Sequence, residues 1–188
     1  RGGNLSYRDK DKIVITASGA PLGKLLPTDL VTLSLQGDPL AADGPRRSSE
    51  WALHVAAYHT RKEAHVVLHA HPPKAIALGL LHRSLPALTP DQYLHLGPQV
   101  PLLPYLTPTT PHLARAVAET LQGAPAVLLQ NHGVLVTAPT PDEAHLRLLL
   151  LEEACAIFLD ALAVGAPHTL SQKEMEALDE VTGGRYKF

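Results

Sequence analysis

Short apolar runs alternate with stretches of helical periodicity along the whole chain, and turn-forming residues separate them. Residues 5–7 and 13–16 predict the two strands of a hairpin that reverses at Asp9-Lys10-Asp11. Residues 30–35 predict a third strand, stopped by the Gly37-Asp38-Pro39 turn. Ser48 or Ser49 predicts the N-cap of a helix running to about Lys62, with Trp51, Val55 and Tyr58 on one face and Leu53, Ala56 and Ala57 beside it. Residues 64–69 predict a strand, and Pro72-Pro73 can form the first turn of the helix after it. Thr110-Pro111 opens a helix ending near Gly123, and residues 126–136 read as two β-rich halves broken at Asn131-His132-Gly133. Thr140-Pro141-Asp142-Glu143 reads as a capping box for a long apolar helix to about Val164, and Ser171-Gln172-Lys173-Glu174 as a second box opening the last helix. Strands mixed with helices, without repeats, predict one domain over residues 1–188 built as a three-layer α/β/α sandwich.

Composition narrows the function classes. A net charge of −2 with no basic block argues against nucleic acid as a partner. The densest apolar stretch, 146–151, is interrupted by Arg147, so no membrane span is expected, and no signal-peptide pattern opens the sequence. Cys155 is the one cysteine and cannot form an internal disulfide, which fits a core residue in a reducing, cytoplasmic compartment. Two asparagines, one methionine and 17 prolines point to a thermophilic source, although a GC-rich genome biases usage the same way. Both asparagines, Asn4 and Asn131, and four serines, Ser6, Ser18, Ser48 and Ser49, fall inside the segments singled out next.

His69-Ala70-His71 ends an apolar run, and Gln130-Asn131-His132-Gly133 ends another. Side chains two residues apart on a strand project from one face. Imidazoles so placed can share one ion at roughly 2.0–2.1 Å, which leaves room for a third histidine and a carboxylate. This pattern is a zinc signal, although two half-buried strand histidines would leave the same mark. The segments Gly2-Gly3-Asn4-Leu5-Ser6, Thr16-Ala17-Ser18-Gly19 and Ser48-Ser49-Glu50 are small, flexible and rich in hydroxyls. Each alone reads as a turn or cap, but together, with two serines at a helix N-terminus, they point to a bound phosphorylated small molecule.

Taken in order, Gly3-Asn4-Leu5-Ser6, Thr16-Ala17-Ser18-Gly19, Ser48-Ser49-Glu50, His54, His69-Ala70-His71 and Asn131-His132-Gly133 resemble the class II aldolase/adducin family, and Arg83-Ser84-Leu85-Pro86-Ala87 resembles its fuculose-phosphate aldolase branch. The resemblance runs from Gly2 to about Leu162. It implies a mixed, mostly antiparallel sheet between helices, in a homotetramer whose active sites lie between subunits. It also implies Zn²⁺ held by His69, His71, His132 and Glu50, and phosphate held by Asn4, Ser18, Gly19, Ser48 and Ser49. The implied reaction is reversible cleavage of a ketose 1-phosphate, L-fuculose 1-phosphate foremost, to dihydroxyacetone phosphate and L-lactaldehyde. It runs through a metal-stabilised enediolate, with Glu50 both a metal ligand and the base.

Two departures follow from the same comparison. The family's proton-donating tyrosine aligns with Pro90, leaving Tyr93, three residues on, or Tyr186 in the C-terminal tail to replace it. Family members usually carry a helix before the segment that Gly2-Gly3-Asn4 matches, and this sequence opens at that segment. Of the other histidines, His54 is expected on an amphipathic helix, with a supporting place near the metal as the alternative, and His59, His65, His82, His95, His112, His145 and His168 on surfaces or loops. A sugar-phosphate 4-epimerase of the ribulose-5-phosphate type and a non-catalytic adducin-like interaction domain are the competing readings. The epimerases resembled carry Asp where this chain has Glu50, and an interaction domain has no use for a complete ligand set.

Overall fold

The computed structural model describes residues 2–184. The expected hairpin is formed by β1 (Gly3–Asp9) and β2 (Lys12–Thr16), and β3 (Leu30–Ser34) adds to β2. Then come α1 (Trp51–Thr60), β4 (Val66–Ala70), α2 (Pro73–Leu80), β5 (Leu85–Pro86), α3 (Pro90–Leu96), β6 (Gln99–Val100) and β7 (Leu102–Leu103). The chain continues through α4 (Pro111–Thr120), β8 (Ala126–Leu129), β9 (Gly133–Ala138), α5 (Pro141–Val164) and α6 (Gln172–Thr182). Seven strands form one sheet in the order β3-β2-β1-β4-β9-β8-β7, and β5 pairs with β6 apart from it. Within the large sheet the β7–β8 pair is parallel and the rest are antiparallel.

The two-residue alternation of the central strands explains the layers. Val127, Leu129 and Leu135 point to one face, where they pack with Leu53, Ala57 and Tyr58 of α1 and Leu113 and Val117 of α4. Ala126, Leu128, Val134 and Val136 point to the other, against Ala75 and Leu78 of α2, Leu96 of α3 and Leu151, Cys155 and Phe158 of α5. Both faces of β8 and β9 are therefore buried, which is why these strands read as unbroken apolar runs. Cys155 is buried as expected, and its thiol is pushed up to about 12 by that burial, with Glu152 adding to it. No described helix is long and apolar enough to cross a membrane.

Several boundaries depart from expectation. Neither Ser48 nor Ser49 is the N-cap of α1; that position is Glu50, and the helix stops at Thr60 rather than Lys62. The serines are drawn elsewhere, because Ser48 N donates to Thr16 O and Arg47 bridges to Ala17, tying the segment to the end of β2. At α5 Thr140 caps Glu143 N, but the reciprocal half of the box is missing, since the Glu143 carboxylate accepts from His95 and Arg147. His95 is thus half-buried and paired, not a surface residue. The second box, at Ser171 and Glu174, is complete. Helix α3 and the two-residue strands β5, β6 and β7 had no counterpart in the pattern of apolar positions.

Candidate metal centre and the cavity beside it

β4 lies between β1 and β9, with His69 directly opposite Asn4 on one side and Leu135 on the other. Opposed residues of an antiparallel pair share a face, so the His69 imidazole leaves the sheet toward the α1 layer, and His71, two residues on, follows it. His132 is brought in by the tight turn between β8 and β9, where Asn131 takes φ 57° and His132 N donates to Leu129 O. Glu50 arrives from the start of α1. The result is a group of four, Glu50, His69, His71 and His132, whose donor atoms all lie within 4.8 Å of one another. Glu50 and His69 are buried, while His71 is exposed and leaves the group open on one side.

The hydrogen bonds orient this group for a cation. His69 Nδ1 donates to Val134 O at 2.8 Å, which keeps the proton on Nδ1 and turns the Nε2 lone pair inward. His71 Nε2 lies 2.9 Å from His69 Nε2, and Glu50 Oε2 lies 3.1 Å from the same nitrogen. Glu50 Oε1 is 3.2 Å from His132 Nε2 yet has no hydrogen-bond partner, although it is buried. Converging imidazole nitrogens and an unsatisfied carboxylate oxygen are what a divalent metal would complete. Burial alone would raise Glu50, but the adjoining His132 and His69 outweigh it and hold the carboxyl far below its ordinary range. Burial, reinforced by His69 and His132, lowers the pKa of His71, which favours the neutral form that a metal ligand needs.

Glycine makes room for the histidines. A Cβ on Gly133 would stand 2.7 Å from His71 Cδ2 and closer still to the Ala70 carbonyl oxygen, and one on Gly2 would run into His71 Nδ1. Gly133→Ala should therefore push β9 from β4 and cost about 1–3 kcal/mol of stability, the usual range for overpacking. Denaturant unfolding checks this, and an unchanged midpoint would show that the strands have slack.

Beside the four donors is a cavity of about 200 Å³ lined by Gly2, Gly3, Asn4, Ala17, Ser18, Gly19, Ala20, Ser48, Ser49 and Glu50. All five residues expected to hold phosphate line it, although they come from three separate segments. Gly19 has φ 79°, a conformation that side-chain-bearing residues rarely adopt. The Asn4 side chain is turned away from solvent: Nδ2 donates to Glu50 Oε2 at 3.1 Å and Oδ1 accepts from His54 Nε2. His54 is fully buried rather than on a half-exposed helix face. Its bonds to Asn4 and Ser6 span about fifty residues of chain, so no local pattern announced them.

Tyr93 is neither among the four donors nor among the residues lining the cavity. Its hydroxyl donates to Asp179 Oδ1 of α6 at 3.1 Å, and burial, together with that carboxylate, raises its pKa. Tyr186 lies outside the described residues.

Residues 1–159 match the family described as the Class II Aldolase and Adducin N-terminal domain, and the chain belongs to that family. Among its relatives is the L-fuculose phosphate aldolase of Escherichia coli K12, 33% identical over 179 residues that cover 95% of this chain and 82% of the relative. The 5-deoxy-D-ribulose 1-phosphate aldolase of Bacillus thuringiensis serovar kurstaki is 34% identical, covering 94% and 83%. A solved structure of an L-fuculose 1-phosphate aldolase superposes with a TM-score of 0.90 at 33% identity, over 97% of this chain and 86% of that one. The protein is therefore an enzyme, a metal-dependent lyase of the class II aldolase type.

Proposed function

We propose that this protein is a zinc aldolase that reversibly cleaves a ketose 1-phosphate, with L-fuculose 1-phosphate the first candidate, to dihydroxyacetone phosphate and L-lactaldehyde. The observation that carries the reading is that Glu50 belongs both to the metal-donor group and to the lining of the small, hydroxyl-rich cavity. Three imidazoles with one carboxylate suit Zn²⁺. When bound, the metal supplies a Lewis acid that draws negative charge toward the substrate's carbonyl oxygen. Ser18, Gly19, Ser48 and Ser49 hold the phosphate, and Asn4 frames that pocket while steadying Glu50. In the condensation direction Glu50 removes a proton from the hydroxymethyl carbon of dihydroxyacetone phosphate. Cleavage returns that proton to the same carbon.

The other aldolase relative acts on 5-deoxy-D-ribulose 1-phosphate by its name. That sugar shares the phosphate, the carbonyl and the scissile bond, and differs only in the aldehyde released. The test is zinc analysis of the purified protein, followed by incubation with each of the two 1-phosphates and with ribulose 5-phosphate. Near-stoichiometric zinc and triose phosphate from L-fuculose 1-phosphate support the reading. Release only from the deoxyribulose sugar reassigns the substrate, and an isomeric pentose phosphate from ribulose 5-phosphate replaces aldolase with epimerase.

The aldehyde oxygen needs its own proton donor, and we assign it to Tyr93 of a neighbouring subunit in a homotetramer, with Tyr186 of the tail as a lesser contributor. Support comes from α3: Pro90 and Tyr93 are three residues apart on one helix and so share a face, about 4.5 Å apart along the axis. Once released from Asp179, the hydroxyl would stand in for the tyrosine that the family carries where this chain has Pro90. Tyr93→Phe should lower turnover at least about tenfold with zinc content unchanged. Mixed assemblies of Tyr93→Phe and His71→Ala subunits should be more active than either parent. Wild-type kinetics for Tyr93→Phe remove it from the mechanism.

A further inference from the structure

Behind Glu50 runs a buried polar chain, of which Asn4 alone borders the phosphate cavity and Ser6, His54 and Tyr58 lie beyond it. Asn4 and Ser6 alternate on β1, His54 and Tyr58 stand one turn apart on α1, and the two pairs face each other. None is more than 6% exposed. Their hydrogen bonds admit one direction. The ionised Glu50 carboxylate only accepts, so Asn4 meets it through Nδ2, at 3.1 Å. Asn4 Oδ1 must then accept from His54 Nε2. A neutral imidazole that donates at Nε2 accepts at Nδ1, where Ser6 Oγ lies 2.7 Å away and donates. Tyr58 Oη is 2.8 Å from Ser6 Oγ and 3.2 Å from His65 O, so its proton goes to one of the two. Burial keeps His54 neutral, its pKa pushed down to about 3 with the nearby His69 adding to the effect.

Glu50 occupies the N-cap of α1 without its carboxylate capping the helix, so its orientation comes from outside its own element. Apart from the metal-site histidines, the donor it meets is Asn4. From Ser6 through His54 and Asn4 to Glu50 the bonds all point one way, and in such a buried chain each bond polarises the next.

We infer that His54 is a positioning residue: through Asn4, and backed by Ser6, it fixes the Glu50 carboxylate and thereby sets the affinity of the four-donor group for a divalent metal. This rests on the metal-site reading above. The test uses the metal-free wild-type protein and the variants His54→Leu, His54→Gln and Ser6→Ala. Each is titrated with Zn²⁺ against a competing chelator, and with Co²⁺ followed by its visible absorption, alongside a thermal melt. His54→Leu should weaken Zn²⁺ binding about 10–100-fold, the range for losing a partner of a metal ligand, and alter the Co²⁺ spectrum. Ser6→Ala should move both readouts the same way by less. His54→Gln, whose amide can still donate to Asn4 Oδ1, should recover most of the affinity. A merely structural His54 would lower the melting temperature and leave the Kd of the folded protein and the spectrum alone. Wild-type affinity and spectrum in His54→Leu therefore overturn the inference, and if that variant does not fold, the same result in Ser6→Ala does so. A wild-type protein that takes up no Zn²⁺ at all overturns the metal reading itself, and this inference with it.

Discussion

Replacing His71 with alanine should empty the protein of metal and lower aldol cleavage at least about 10³-fold. Lewis-acid stabilisation of developing charge is worth several kcal/mol, and each 1.36 kcal/mol is tenfold in rate, so losing about 4 kcal/mol gives that factor. His71 is the most informative ligand to remove because it is exposed, whereas His69 is buried in the sheet and donates to Val134 O. Removing His69 would confound chemistry with folding; removing His71 opens no core cavity. Metal content by elemental analysis and cleavage by coupled triose-phosphate detection check the two halves separately. Full activity without metal would refute the proposed chemistry, and retained metal would show that three donors suffice.

Glu50→Gln should keep the shape of the site and lower turnover by about 10²–10⁴-fold, the usual worth of a positioned proton-transfer group, even with Zn²⁺ at saturation. The amide cannot accept a proton from carbon, yet it can still meet Asn4 Nδ2 through its oxygen. Binding of inorganic phosphate, followed by titration, should be little changed, because the cavity's hydroxyls and Gly19 are untouched. A variant within twofold of wild type at saturating Zn²⁺ would leave Glu50 a ligand only and move the base elsewhere. Together the two substitutions separate the roles that meet in one carboxylate.

The metal histidines were readable because their geometry is set by local rules. The i, i+2 spacing on a strand and the turn at Asn131 dictate where three imidazoles go once β4 and β9 pair. The phosphate-pocket segments were readable as chemistry but not as structure. Ser48 and Ser49 resemble an N-cap in isolation, and only pairing with the end of β2, some thirty residues earlier, shows that they are held elsewhere. Helix α3 escaped for a different reason. Thr89-Pro90-Asp91-Gln92 has nearly the same opening as Thr140-Pro141-Asp142-Glu143, and Thr89 does cap Gln92 N, but seven residues are too few to display a periodicity. A supporting place near the metal was the lesser of two readings for His54, and its partners could not be read at all, since they lie on β1 and α1 and meet only when the layers close.

The two strands that carry or adjoin the metal histidines, β4 and β9, are interior to the sheet, each hydrogen-bonded on both edges and covered by helices on both faces. Segments so enclosed open last, so the amides of Val67 and Leu135 should exchange with solvent only through whole-molecule unfolding. The histidines are then already gathered before any ion arrives. Unlike small domains that fold around their zinc, this protein should survive exhaustive chelation with its backbone protection intact, and take the ion back without refolding.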